Sequence, residues 1–291
     1  MTKINKISSK KEIVENLLVT DFSQEKKEIV KSNFQIPRID VLYIKHNEVN
    51  LFSELEAQKQ QLHLTSGATI NEFTFTSLRL ALHKIVSNQT GYKLNSVHYN
   101  KPVISITTTL SDLCKDAFGT PTPTDKQKEE IKNILEILDR TKFTITNAEE
   151  GIKKTKQYIS IMEKIEGKGV STKYELAVNT SLFNLSKGFG LLPQDFTYRL
   201  TEVTKRKTIG HLKLAEYLAI QKERVITRYI GTLVEELGYE KEYKEQKKRT
   251  EQKILNICED LKKAGVIKTY SIEKGTHTKL VIECVRLKED E

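Results

Sequence analysis

Between Lys247 and Val285 the chain reads as a helix, a glycine and a hairpin with no linker between them, an order that few small folds accept. The run KKRTEQKILNICEDLKKAG puts Ile254, Ile257, Cys258 and Leu261 at i, i+3, i+4 and i+7, so one helical stripe is apolar. Lys247, Lys248, Arg249, Gln252, Lys253 and Asn256 lie around the remaining face. Gly265 supplies the left-handed residue that ends such a helix. VIKTYSIEKGTHTKLVIECV then gives two β-rich runs around the turn Glu273 to Thr276, with Lys274, His277 and Lys279 making its tip cationic. Upstream, RVITRYIGTLVEELG reads as a short strand and a stubby helix ending at Gly238. IGHLKLAEYLAIQKER, apolar through Leu212, Leu214, Ala215, Leu218 and Ala219, reads as a supporting helix before it.

Helix, strand, helix, helix and hairpin in that order predict a winged helix-turn-helix. The same order occurs earlier in the chain, and an internal duplication constrains architecture more than either copy alone. TFTSLRLALHKIVSNQ is a helix, and PVISITTTLSDLCKDAFG is a strand and short helix with Thr109 and Asp112 as a capping pair and an end at Gly119. After the break at Pro121 to Pro123, Thr124 and Gln127 make a capping-box spacing at the head of DKQKEEIKNILEILDRTK, whose stripe is Ile131, Ile134, Leu135 and Leu138. At an offset of 123 residues Ile134 falls on Ile257, Glu136 on Glu259 and Leu138 on Leu261. FTIT follows, then a longer hairpin around Glu166 to Gly169. The expected fold is α+β, mainly α, with two tandem winged helix-turn-helix domains. Residues 1–65 form an extension with a strand at IDVLYIKH, 66–188 the first domain and 189–291 the second, joined through NLSKGFGLLPQDF with breaks at Gly188, Gly190 and Pro193. In the extension, Lys11 to Val30 reads as an amphipathic helix.

The 291 residues, 37% of them apolar, suffice for two modest cores. The net charge of +9 is unevenly placed: residues 1–150 hold 20 Lys and Arg against 19 Asp and Glu, and residues 151–291 hold 28 against 20. A basic excess in the half with the clearer helix–hairpin unit favours a polyanionic partner, because phosphate neutralisation releases counterions. The plain alternative is a compact core whose lysines are a solvated face. Within the basic half, Arg249 and Gln252 sit where a helix start meets base edges, while Lys205, Arg206 and Lys207 are placed for backbone phosphates. Cys114, Cys258 and Cys284 are far apart and embedded in apolar runs, which predicts reduced core thiols and a cytoplasmic protein. MTKINKISSKK has no apolar signal core and no stretch approaches a membrane span, so neither secretion nor insertion is expected.

Catalytic patterns are not found in the sequence. A phosphate-binding loop needs G-x-x-x-x-G-K-S/T, and Gly167-Lys168 lacks that context. A metal-dependent nicking site needs two histidines flanking one apolar residue, and His46, His63, His83, His98, His211 and His277 never fall at that spacing. The expectation is a binding protein with no enzyme activity, no cofactor and no metal.

The strand run YISIMEKIEGKGVSTKYELAVNTSLF, the segment FTYRLTEVTKRKTIGHLKLAEYLA and the closing unit LKKAGVIKTYSIEKGTHTKLVIE give the chain an order that resembles the replication initiators (Rep proteins) of iteron-containing theta plasmids. The likeness is one of order and pattern over roughly residues 66–286. It implies a protein that binds direct repeats of double-stranded DNA at an origin, one winged helix in each of two neighbouring major grooves, and recruits host helicase and primase. It also implies a dimeric form, held by the first domain, that represses its own gene. By carry-over, Asp125 to Asn133 would be the first recognition helix, with Lys126, Gln127, Lys132 and Asn133 toward DNA, and Lys247 to Asn256 the second. The loop NQTGYKLNSVHYNKP and the charged extension depart from that family. A winged-helix transcriptional regulator without a replication role is the alternative from another class, and an atypical replication endonuclease is a third.

Overall fold

The fold is given by a computed structural model, which describes residues 71–90, 103–140, 159–168, 170–179, 189–221, 223–274 and 278–287 and the strands at 33–37, 41–45, 48–52, 60–64, 142–147 and 152–157. Among the described residues the chain is α+β, with eight helices and thirteen strands. Helices hold more of these residues than strands do, and the sheet content exceeds expectation because four strands arise in stretches read as extension or connection, β3 (Glu48–Phe52), β4 (Gln60–Leu64), β6 (Lys142–Asn147) and β7 (Ile152–Gln157), beside β2 (Val41–Lys45) within the strand expected at IDVLYIKH. These five form one antiparallel sheet in the order β2-β3-β4-β6-β7. The FTIT run is therefore a strand, but it pairs with β4 in register Leu62↔Ile145 and with β7, not with the long hairpin that follows. The expected helix at Lys11 to Val30 and the loop NQTGYKLNSVHYNKP lie outside the described residues, apart from the start of that loop at the end of the first helix.

The remaining elements repeat. The first set is α1 (Glu72–Thr90), β5 (Val103–Thr109), α2 (Leu110–Phe118), α3 (Asp125–Arg140) and the hairpin β8 (Ile159–Gly167) with β9 (Val170–Asn179). After β10 (Phe189–Pro193) and α4 (Phe196–Val203), the second set is α5 (Ile209–Ile220), β11 (Val225–Tyr229), α6 (Ile230–Leu237), α7 (Glu240–Glu245), α8 (Lys247–Lys263) and the hairpin β12 (Ile267–Glu273) with β13 (Lys279–Cys284). The sheets have equivalent orders, β5-β9-β8 and β11-β13-β12, each with the last hairpin strand in the middle. The stripes also correspond: Ile131, Ile134, Leu135 and Leu138 of α3 and Ile254, Ile257, Cys258 and Leu261 of α8 are all buried, each pair 123 residues apart.

Local chemistry sets the helix ends. The Thr109 hydroxyl accepts the Asp112 N–H at 3.1 Å, and at the start of α3 the Gln127 side chain accepts the Thr124 N–H at 2.9 Å while the Thr124 hydroxyl accepts the Gln127 N–H at 3.2 Å. At the end of α8, Gly265 has φ 80°, the Val266 N–H reaches Leu261 O at 2.9 Å and the Gly265 N–H reaches Lys262 O at 3.1 Å, the paired closure of a Schellman motif.

Buried side chains form two clusters, one built on α1, α2, α3 and the β5-β9-β8 sheet, the other on α4, α5, α6, α8 and the β11-β13-β12 sheet. Helix α1 belongs to both: Phe75, Leu78, Leu82 and Val86 enter the first, Leu80 enters the second, and Phe73 packs against each. The polar flank of α1 faces the second half. Arg79 and Glu216 pair at 2.5 Å with side chains 3% and 0% exposed, and Lys213 pairs with Glu72 at 2.5 Å. Taking such charges out of water costs several kcal/mol each by order of magnitude, which only close pairing offsets.

Alongside α1, the end of α2 docks on α4. Thr197 donates to Asp116 O at 2.8 Å and Thr201 to Phe118 O at 3.1 Å. Gly119, at φ 58°, lies so close that a Cβ there would stand 2.0 Å from Thr197 O. The stretch read as a linker is part of the same packing. Gly190 lies within β10, which pairs with β1 (Asn33–Pro37), and a Cβ on it would stand 2.1 Å from Ala219 O. Of the two residues that look like breaks here, Gly190 serves close approach and Pro193 ends a strand that has one partner among the described residues.

Candidate nucleic-acid interface

Helix α8 carries the densest set of exposed polar side chains anticipated for a partner. Lys247, Lys248, Arg249, Gln252 and Asn256 are exposed, while Thr250, Ile254, Ile257, Cys258 and Leu261 are buried beneath them. The start of this helix is unusual for an ordinary surface helix. Its first turn contains no acidic residue and Gln246 makes no side-chain cap, so three consecutive cations occupy the end where the macrodipole is already positive. Around that turn the Arg249 guanidinium donates to the Gln246 side-chain oxygen at 2.9 Å, and Gln252 donates to Asn256 at 2.9 Å one turn later. The result is a row of guanidinium and amide groups backed by exposed ammonium groups.

Short helix α7, which periodicity did not reveal, braces one side of this surface. Lys253 is half-buried, its ammonium 2.9 Å from a Glu242 oxygen and 3.8 Å from the centre of the Tyr239 ring. Lys247 stands 5.8 Å over the Tyr243 ring, whose hydroxyl donates to Glu251 at 3.2 Å. Lys253 is thus engaged within the protein, whereas Lys248 heads no such contact in the described geometry. At the other end, His211 ties α5 to α8. Its Nδ1 accepts the Thr208 N–H at 3.1 Å, which makes Nε2 the protonated nitrogen, and Nε2 donates to Asp260 at 3.1 Å. Burial holds His211 below its usual pKa, although Asp260 pulls the other way.

The hairpin tip is described up to Lys274, which is exposed, and His277 lies outside the described residues. Lys279 is half-buried, 5.5 Å over the Tyr229 ring. At the far end of the sheet, Glu283 is held below the usual carboxylate range by its hydrogen bond from Lys268, with Arg224 adding to it at 2.7 Å.

On α3 the anticipated residues divide. Lys126 and Asn133 are exposed, Lys132 is half-buried, and the Gln127 side chain is occupied in the cap of the helix. Several α3 carboxylates serve the first unit itself: Asp139 accepts the Ile161 N–H at 2.7 Å, Glu136 meets Lys164 at 3.4 Å and Glu130 accepts from Thr74 at 3.2 Å. Unlike α8, α3 opens with an acidic residue, Asp125.

The triplet expected at phosphates also divides. Lys205 and Arg206 are exposed. Lys207 turns inward, where its ammonium donates to Phe118 O at the end of α2 and to the Thr201 hydroxyl at 2.7 Å, and burial lowers its pKa to about 8. Lys207 therefore belongs to the contact between the two halves. Sequence reasoning missed that contact altogether. Its signal was available in Lys213 and Glu216, two charges inside the apolar run LKLAEYLA, and in Arg79 inside LRLALH.

No protein-family model matches this sequence, and no curated protein matches it either. Among the described residues no helix is long and apolar enough to cross a membrane.

Proposed function

We propose that the chain is a sequence-specific binder of double-stranded DNA built from two winged helix-turn-helix modules, with α8 as the principal recognition helix and α3 as the second. The observation that carries this reading is the cationic, uncapped start of α8, where Lys247, Lys248 and Arg249 oppose the helix dipole. A fold keeps such a local violation where an anion offsets it. The duplicated element order and the matching sheet orders support the two-module form. Arg249 suits guanine edges, and Gln252 and Asn256 suit adenine edges, in a major groove. Lys205, Arg206 and Lys274 suit phosphates beside it. The tandem order further supports a replication initiator that binds direct repeats and recruits host helicase and primase, and this part of the reading rests on the resemblance alone.

Fluorescence anisotropy with a labelled duplex tests the core of the reading. If the modules together neutralise six to ten phosphates, raising salt from 50 to 200 mM lowers affinity by about a thousandfold or more. An affinity that does not change with salt contradicts it. Direct repeats beside the coding sequence favour initiation, and an inverted repeat in the promoter alone favours a regulator.

A further inference from the structure

The geometry points to the contact between the two halves as the element that sets the spacing of the DNA site: the Arg79–Glu216 and Lys213–Glu72 pairs lock both modules into one rigid reader. This rests on the DNA-binding reading above and adds to it a determinant that touches no DNA. Three observations converge. Helix α1 contributes buried side chains to both cores, so neither half rotates without disturbing the other. The Arg79–Glu216 pair is almost wholly buried, so a rotation that separated its partners would leave uncompensated charge out of water. Backbone meets backbone across that contact at Gly119 against Thr197, leaving no room for sliding there. Thr197, Thr201 and Lys207 then cap the α2 terminus from the second half.

Two recognition helices held in this way accept half-sites at one separation and one helical phase. A tethered pair behaves differently. It tolerates a whole-turn insertion, because its modules find each other's face of the duplex again by moving along the groove. For the locked reader, an insertion of five base pairs rotates one half-site to the opposite face, and an insertion of ten moves it beyond reach by about 34 Å. Both leave only single-module binding.

The test uses the full chain. Selection from a random duplex library yields an enriched sequence, whose two half-sites are then separated by insertions of one, five and ten base pairs. The expected result is one enriched spacing and a loss of about a hundredfold or more at five and at ten. The double variant Arg79→Met with Glu216→Leu, which replaces the pair by apolar bulk and keeps the core filled, is expected to regain part of the binding at ten while its affinity for a single half-site is unchanged. The variant Glu216→Gln, which keeps the shape, is expected to show a smaller shift in the same direction. An enriched two-part site that binds equally well with ten base pairs inserted, a single half-site as the only product, or a double variant with the wild-type spacing profile would overturn the role of the contact while leaving DNA binding intact. A library with no enriched duplex would overturn the DNA-binding reading and this inference together.

Discussion

Lys247, Lys248 and Arg249 stand where an isolated helix least accepts positive charge, and they can be tested one at a time. Lys248→Glu removes a cation from the positive end of the dipole and supplies an anion, so the urea midpoint is expected to rise, by roughly 0.3–1 kcal/mol in stability. The same change is expected to weaken duplex binding about tenfold or more through a lost charge-assisted contact. A gain in stability with no loss of binding would make these residues a merely solvated face. Titrating groups give a second set of expectations. His211 is kept neutral by burial, and so is His83, where Arg79 adds to the effect. A histidine whose folded pKa lies below its ordinary value near 6.5 contributes its full stability above that value and loses it as pH falls below it. Glu236 has the opposite sign: burial pushes its carboxyl up to about 7 despite Arg228, so its contribution is present below the ordinary value of 4.5 and is lost as pH rises through 7. Glu236→Gln is therefore expected to raise the urea midpoint at pH 8 and leave it unchanged at pH 4, and an equal effect at both would remove the buried-carboxyl explanation.

Two glycines separate tight approach from simple freedom at the level of elements. Gly119 needs φ 58° and a Cβ there would strike Thr197 O, so Gly119→Ala is expected to cost more than about 2 kcal/mol in thermal or urea unfolding. Gly231, in α6, has nothing within 4 Å of a Cβ, and Gly231→Ala is expected to be neutral or to stabilise by roughly 0.4–1 kcal/mol. Equal costs at the two positions would mean that the docking of α2 on α4 is not close. Elements governed by local rules were legible in the sequence. The stripes of α3 and α8, the caps at Thr109, Thr124 and Gly265 and the strands flanking them follow from spacing and turn chemistry within a few residues. Elements that depend on a distant partner were not. The FTIT run announces a strand but not that β4, some 80 residues earlier in the chain, is its neighbour. Gly190 and Pro193 read as a linker because the pattern of a five-residue strand is too short to outweigh two breakers. Short α7 has no buried residue, so no period marks it. Among site residues, exposure on α8 was readable from the helical period. The inward turn of Lys207 was not, since its acceptor Phe118 O lies 89 positions away in the chain.

The whole molecule places two similar units around one shared helix, and both units are expected to bind DNA. Their surfaces differ: α8 opens with cations, α3 opens with Asp125 and spends several carboxylates on its own unit. The second unit is therefore expected to carry the greater share of affinity and the first to extend the site. Hydroxyl-radical footprinting of the full chain on an enriched duplex measures this directly. The predicted result is two protected tracts about one helical turn apart, roughly 34 Å, with Arg249→Ala weakening the tract assigned to α8 and relaxing its sequence preference at a cost of about 1–3 kcal/mol. A single tract, or two tracts that Arg249→Ala leaves unchanged in strength and sequence preference, would contradict it.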